Sequence, residues 1–246
     1  KSDKGGVYKT AILYLAPAEQ VDGVNLCPMS KKANCRDACL YTAGRGAFNN
    51  VQAARIRKTM LWRDHRAEFI DRLNEDIYRF TKHCLRHDVL PAVRLNGTSD
   101  IMWEQFEPGG LMTEHSSVQF YDYTKILSRV DRRPPPNYHL TLSYSGASPR
   151  YKRDVVEAAK RTGTNMAVVF RDELPDTFEG LPVVSGDKDD LRFLDPPRHV
   201  VGLTAKGQAK KDTSGFVVAE AWDVFNQASL LLTEDGIRRG EINGKT

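Results

Sequence analysis

Three cysteines lie within thirteen residues of one another. They are Cys27, Cys35 and Cys39, and their spacing is C-x7-C-x3-C. Thiolates are soft ligands that favour zinc or iron–sulfur centres over hard ions such as Mg²⁺. Three thiolates leave one coordination position free. The spacing therefore predicts a metal centre with an open site, where a substrate or cosubstrate can bind.

The cysteines alone leave the kind of metal open. Structural zinc usually has four ligands from paired C-x2-C knuckles, which this segment lacks, so a histidine such as His65, His83 or His87 would have to complete a zinc site. A [4Fe–4S] cluster held by three cysteines, with one free iron atom, explains the count without a missing ligand. The cluster is the main prediction, and zinc or unligated structural cysteines are the alternatives.

The composition is that of an ordinary globular protein. A chain of 246 residues with 40% hydrophobic residues can bury a core in one large domain or two small ones. The four cysteines are too few for a disulfide framework. No apolar run or leader-like segment indicates a membrane or export, so we expect a cytoplasmic protein. A net charge of +4 permits a nucleic-acid partner without requiring one.

Short apolar runs, each closed by a polar or glycine-containing turn, predict about seven strands. The first precedes Pro17 and the cysteine loop. In order along the chain, the predicted strands cover residues 10–16, 90–95, 118–121, 138–142, 165–170, 181–184 and 199–203.

Helical segments separate several of these strands. A long region, residues 49–87, lies between the first two, and Asp64 is its predicted internal N-cap. A second helix covers residues 150–162. The apolar stripe of the first region has helical spacing and consists of Phe69, Leu73, Ile77, Phe80 and Cys84.

Helical connections of this length favour parallel strand pairing. The later connections, residues 171–181 and 187–199, are too short for full helices. The sequence therefore predicts an α/β fold, a partial (β/α) barrel of about six or seven mostly parallel strands. It would span residues 1–215, with the cysteine loop at 18–46, and be followed by a C-terminal helix and tail at 216–246. Residues 129–137, rich in arginine and proline, are predicted as a stiff linker.

Polar residues gather after the predicted strands, which is where parallel barrels carry their active sites. As a set they predict a pocket beside the cysteines, although each residue alone is an ordinary turn former. Those predicted to contact a cofactor are Asn96, Gly97, Ser99, Asp100, Tyr123, Lys125, Ser143, Ser145, Arg171 and Asp187. Tyr121, Asp190 and Lys206 belong to the same strand ends.

Carboxylates and basic residues support a different hypothesis. The segment 186–190, with Asp100, Glu104 and Asp122, could bind Mg²⁺ or Mn²⁺ and cleave phosphodiesters, or could be a solvated acidic loop. Basic residues that could contact phosphates are Arg55, Arg57, Lys58, Arg63, Arg66, Arg129, Arg132, Arg133, Lys206, Lys210 and Lys211. The alternative function is thus a nucleic-acid-binding protein or nuclease with a structural zinc or iron–sulfur site.

A strand, a loop with three cysteines and a helix in a partial parallel barrel resemble the radical S-adenosylmethionine enzymes. Their usual spacing is C-x3-C-x2-C, so the loop here is longer. The resemblance implies a [4Fe–4S] cluster on Cys27, Cys35 and Cys39 whose free iron binds S-adenosylmethionine, and an electron donor as a partner. It also implies that residues 96–100 hold the amino group of this cosubstrate. The substrate is unknown, with a nucleotide or nucleic acid as the expected class.

Most of the chain, residues 11–216, also resembles a family of tailed-phage and bacterial proteins without a settled function. The resemblance implies an origin in a phage or its bacterial host and one common site for the cysteines and strand ends. It rests on residues 25–28 (NLCP), 94–101 (RLNGTSDI), 120–125 (FYDYTK), 137–141 (NYHLT) and 186–193 (GDKDDLRF).

Overall fold

The computed structural model describes residues 6–39, 41, 44–106 and 110–219, and its centre is one sheet. All seven predicted strands are present, together with a very short eighth. The strands are β1 (Tyr8–Ile12), β2 (Leu90–Arg94), β3 (Gln119–Thr124), β4 (Tyr138–Ser143), β5 (Met166–Phe170), β6 (Thr177–Phe178), β7 (Leu181–Ser185) and β8 (Val200–Thr204).

The strand order across the sheet is β1-β2-β3-β4-β5-β8-β7-β6. Every pairing is parallel except that of β6 with β7. Within the described residues β1 and β6 are the two edges, and no pairing joins them. The α/β class with mostly parallel strands is therefore confirmed. The predicted count of six or seven strands is too low, and the sheet is open, so its topology does not establish a barrel of the radical S-adenosylmethionine type.

The strand missing from the prediction is β6, which forms a hairpin with β7. Its turn consists of Glu179 and Gly180, both with positive φ (52° and 77°). Two such residues form the tight turn that joins antiparallel strands. Phe178, one of only two residues in β6, is 4% exposed and packs edge-on against Phe170 and Tyr144. A strand of two residues has too little alternation to be visible in the sequence.

The helices are α1 (Asn49–Asp64), α2 (Arg66–Arg86), α3 (Leu111–Glu114), α4 (Ser128–Asp131) and α5 (Pro149–Thr162). The predicted region 49–87 is thus two helices, separated at His65, whose φ of −137° is not helical. The prediction that Asp64 caps the second helix is wrong, because its carboxylate pairs with Arg63 at 2.7 Å. The predicted helix 150–162 is α5, capped by Ser148, whose hydroxyl accepts from the Tyr151 amide.

The helices pack on one face of the sheet. On α2, Phe69, Ile77 and Cys84 are buried, and Leu73 and Phe80 pack against the same core, as the apolar stripe predicts. Residues 187–199, between β7 and β8, contribute to a separate apolar cluster. There Leu191 packs with Ala92 of β2 and Tyr121 of β3.

The first strand ends earlier than predicted, at Ile12 rather than residue 16. Leu15 and Ala16 lie outside the sheet but are buried, with exposures of 0% and 1%. Their apolar character therefore reflects burial and not membership of the strand. Side chains satisfy their backbone groups: the Ala16 amide donates to Thr59 Oγ1 at 2.9 Å, and Thr98 Oγ1 donates to the Leu15 carbonyl at 2.5 Å.

Parts of the two remaining segment predictions lie outside the described residues. In the cysteine loop these are residues 40, 42 and 43. In the predicted C-terminal helix and tail they are residues 220–246, while residues 216–219 form no helix. None of the described helices has both the length and the apolar character needed to span a lipid bilayer.

Truncation of the α2 stripe tests the packing of this layer. Ile77→Ala should lower the free energy of unfolding by about 2–5 kcal/mol, because it leaves a cavity in the core. Leu85→Ala, on the same helix but 71% exposed, is the control and should change it by no more than about 0.5 kcal/mol. Urea unfolding followed by circular dichroism measures both. Equal effects of the two substitutions would contradict the assigned burial.

Candidate metal centre

The loop that carries the cysteines has little regular structure, and hydrogen bonds fix it to several other segments. The Asp100 amide, beyond β2, donates to the Leu26 carbonyl at 2.7 Å. Ser145, beyond β4, donates from its hydroxyl to the Ala33 carbonyl at 2.7 Å. Ser214, beyond β8, donates to the Asn34 carbonyl at 3.2 Å. The loop is therefore held against the carboxyl ends of the parallel strands.

Cys27, Cys35 and Cys39 all line the same two adjoining cavities. The larger one, which we call the outer cavity, has a volume of about 780 Å³, and the smaller one, which we call the inner cavity, has a volume of about 140 Å³. Cys27 Sγ lies 3.5 Å from the Thr98 carbonyl, and the Tyr41 amide donates to Cys39 Sγ at 3.5 Å. Among the described residues, no group of three or more His, Cys, Asp or Glu is arranged to hold a single metal ion.

The cysteines are electrostatically coupled. Burial raises the pKa of the Cys27 thiol to about 12, and the nearby Cys39 and Cys35 raise it further in their charged forms. Burial also raises the pKa of Cys39, and a charged Cys35 nearby raises it further. Charged thiolates at these positions therefore need a cation to stabilise them, and a bound metal supplies one.

The inner cavity brings together the cysteines and most of the predicted strand-end residues. Arg94 and Thr98, which the pocket prediction did not include, also line it. The predicted residues at this cavity are Asn96, Gly97, Ser99, Asp100, Tyr123, Lys125 and Ser143.

Three predicted residues lie elsewhere. Ser145 lines neither cavity, since its hydroxyl holds the cysteine loop. Arg171 donates to the carbonyl of Asp212, a residue of the outer cavity wall. Asp187 forms an ion pair with Lys206 and accepts a hydrogen bond from the Thr204 amide. Lys206 likewise does not line either cavity.

Asn96 organises the turn after β2. Its Oδ1 accepts from the Ser99 hydroxyl at 2.8 Å, the Ile101 amide at 3.0 Å and Trp103 Nε1 at 3.2 Å. Gly97 allows the close packing of this turn, because a Cβ there would lie 2.6 Å from the ring of Tyr14. Asn96 is thus a structural residue of the cavity wall, and its amide is occupied within the protein.

An ion-pair network lies behind the same wall. The fully buried Arg129 donates to Asp100 Oδ1 at 2.8 Å and makes two bonds of 2.8 Å to the Glu104 carboxylate. Asp100 also accepts from Thr124 Oγ1 and the Lys125 amide, each at 2.8 Å. Arg129 lies on α4, so its assignment to the linker 129–137 and to a phosphate-binding surface is wrong.

Asp122 is a buried carboxyl group of β3 in contact with this network. It accepts from the Asn96 amide at 2.7 Å and the Tyr138 hydroxyl at 2.6 Å. Burial raises the pKa of Asp122 to about 7, although these hydrogen bonds and Arg129 oppose the rise. Tyr138 in turn accepts from Arg129 at 2.8 Å.

The carboxylates proposed to bind Mg²⁺ are occupied by partners within the protein. Asp190 accepts from Arg94 at 2.8 Å and from the Tyr123 hydroxyl at 3.0 Å. Asp189 accepts from the Leu191 amide at 2.9 Å and contacts the buried Arg192. Asp190 does not line the inner cavity itself but fixes two side chains that do.

The other predicted ligands and phosphate contacts are dispersed. His83 and His87 stack on each other at the end of α2, His65 lies between α1 and α2, and none of the three lines the outer or inner cavity. Arg55 is buried, and Lys211 alone of the predicted basic residues lines the outer cavity. The outer wall also contains residues that the sequence did not indicate, including Gln20, Arg36, Asp37, Gln208 and Thr213.

Removal of the buried arginine tests the network behind the cavity. Arg129→Met should lower the free energy of unfolding by about 3–5 kcal/mol, because Asp100 and Glu104 lose the cation that compensates them. Arg72→Met removes an exposed pair with Glu68 and should cost less than about 1 kcal/mol. Chemical denaturation at pH 7 measures both values. A cost for Arg129→Met as small as that of the control would contradict the assigned network.

Asp122 should make stability depend on pH. Its carboxyl group titrates near pH 7 when folded and near pH 4 when unfolded, so the stability linked to its proton is present below about pH 4 and lost as the pH rises through about 7. Asp122→Asn, which keeps the shape without the charge, should remove this component, on the order of 2–4 kcal/mol. Urea unfolding at pH 4.5 and pH 8 should show a larger decrease for the wild type. Parallel pH profiles of the two proteins would exclude this role.

The comparisons with known proteins place the chain in a family. A family profile described as "Gene product 88" matches residues 1–220. No curated protein and no solved structure matches the chain. The match fits the predicted resemblance to a phage-type protein family. Because the profile covers most of the chain, the protein belongs to the gene product 88 family.

Proposed function

We propose that Cys27, Cys35 and Cys39 bind a [4Fe–4S] cluster, and that the protein is an enzyme resembling the radical S-adenosylmethionine enzymes. The observation that carries this proposal is the shared cavity: three thiols from an irregular loop and the polar ends of parallel strands line the same space. A cofactor bound by the thiols would therefore contact the polar groups directly.

The donor set fits such a cluster. Sulfur donors favour iron–sulfur centres, and the cysteines of a cluster bind different iron atoms, so their sulfurs need not converge on one point. A single zinc ion requires such convergence. When bound and reduced, the cluster would supply the electron for reductive cleavage of S-adenosylmethionine. A separate redox partner would deliver this electron to the cluster.

In this proposal, residues of the chain orient the reactants. Lys125 and Ser143 present an ammonium and a hydroxyl group, 2.6 Å apart, at the inner cavity. Asp100 and Asn96 hold the adjoining turn in place through the contacts described above. The outer cavity, at about 780 Å³, has the volume of a small-molecule site and would hold the cosubstrate and the substrate. A nucleotide or nucleic acid is the proposed substrate class.

Metal analysis separates this proposal from the alternative of a nucleic-acid-binding protein or nuclease with structural zinc. Protein purified anaerobically should be brown, absorb at about 400 nm and contain about four iron atoms and about four sulfide ions per chain. Cys35→Ser should lose most of this iron. Cys84→Ala, which changes the buried cysteine of α2, is the control and should retain it. A colourless protein with stoichiometric zinc would contradict the cluster.

Turnover distinguishes a catalytic cluster from a structural one. With dithionite and S-adenosylmethionine, the wild type should release 5′-deoxyadenosine, whereas Cys35→Ser should not. Liquid chromatography with mass spectrometry measures the product. A cluster that loads fully but yields no 5′-deoxyadenosine would contradict the proposed reaction while leaving the metal centre intact.

A further inference from the structure

Two positive side chains border the cysteine site, and neither forms an ion pair with a carboxylate in the part of the chain that the structure describes. The first is Lys125, directly after β3. Its ammonium group donates to Ser143 Oγ at 2.6 Å and lies 5.2 Å from the centre of the Phe216 ring. The lysine side chain lines the inner cavity together with all three cysteines.

The second is Arg55 of α1, which is 5% exposed. Its guanidinium lies between two aromatic rings, 5.0 Å from the centre of Tyr14 and 5.3 Å from that of Tyr41. Nη1 donates to the Tyr41 carbonyl at 3.2 Å, while Nε is buried and has no hydrogen-bond partner among the described residues. Tyr41 also donates its amide to Cys39, so Arg55 is linked to the cysteine through one residue.

Burying a cation without an anionic partner is costly, and cation–π contacts offset only part of this cost. Lys125 lines the inner cavity with the three cysteines, and Arg55 bonds to Tyr41, whose amide donates to Cys39, so both positive charges lie near the cysteine site. A net negative charge at the occupied site, from the thiolates and what they bind taken together, would complete the charge balance of the two cations.

We propose that the occupied cysteine site, its thiolates included, carries a net negative charge, and that Arg55 and Lys125 are positioning residues that offset this charge. The identity of the occupant rests on the proposed function: a doubly positive [4Fe–4S] core held by three thiolates is singly negative, and its reduced form is doubly negative. Nearby cations stabilise the more negative state, so they ease reduction of the cluster.

The electrostatic claim is testable on the full-length protein without metal. Iodoacetate is an anion and iodoacetamide is neutral, but both alkylate the same thiolate with loss of iodide. The ratio of their rates at Cys39 therefore reports the local potential, because the thiolate fraction cancels at a fixed pH. Peptide mass spectrometry resolves Cys39 from the other cysteines.

Lys125→Gln should lower the iodoacetate-to-iodoacetamide ratio by about threefold to tenfold, the effect expected from one unit charge several ångströms away. Lys125→Arg and Arg55→Lys keep the charge and should retain most of the wild-type ratio. Lys82→Gln, on α2, removes a charge outside both cavities and should leave the ratio unchanged. An unchanged ratio in Lys125→Gln, or an equal fall in Lys82→Gln, would overturn the inference.

Redox titration extends the test to the loaded protein. The midpoint potential of the cluster should shift to more negative values in Lys125→Gln and stay near the wild-type value in Lys125→Arg. A shift to more positive values would also overturn the inference. If the wild type binds no iron but the alkylation ratio still falls, the proposed function fails while the anionic site stands, so the two failures are distinguishable.

Discussion

The pairing of Asp100 with Arg129 holds the site together. The Asp100 carboxylate bonds to Arg129, Thr124 and the Lys125 amide, and its own amide bonds to the Leu26 carbonyl, next to Cys27. Through its carboxylate and its backbone amide, Asp100 thus connects the cysteine loop, the turn after β2 and the end of β3. Because Arg129 has no exposure and bridges Asp100 to Glu104, these contacts lie where water does not compete with them.

This arrangement assigns different tasks to chemically similar residues. Asn96, Asp122 and Glu104 have their hydrogen-bonding capacity used inside the protein, and they shape the cavity wall. Lys125 and the cysteines line the same cavity with side chains that an occupant could contact. In the proposed chemistry, few residues would therefore contact ligands directly. A larger set of residues would hold those few in position.

Much of the fold was predictable from the sequence, because long apolar runs and helical periodicity report burial directly. The stripe of α2 and the seven longer strands are examples. Errors arose where side chains substitute for regular backbone pairing. The Thr59 and Thr98 side chains form hydrogen bonds with the backbone groups of the buried residues after β1. From the sequence alone, these apolar residues were predicted to continue the strand. Asp64 has the residue type of a cap, but its neighbour Arg63 occupies its carboxylate.

The candidate site was predictable as a group of strand ends, since parallel strands place their carboxyl ends together. The partners of each residue were not, because they depend on contacts between distant segments. Arg129 comes shortly after Lys125 in the chain and resembles a surface charge in sequence, yet it compensates two largely buried carboxylates. Arg55 has the same residue type as the exposed arginines of α1 and α2, and only the three-dimensional packing of Tyr14 and Tyr41 reveals its position.

The central claim is that three sulfurs bind one inorganic cluster at the end of the sheet. Diffraction from anaerobically grown crystals, measured at the iron absorption edge, tests it most directly. Anomalous density is expected for several iron atoms in the inner cavity, bonded to Cys27, Cys35 and Cys39, with one iron lacking a cysteine ligand. A map with no iron signal and three unligated sulfurs would contradict the proposed cluster, and so would a single zinc ion bound to them.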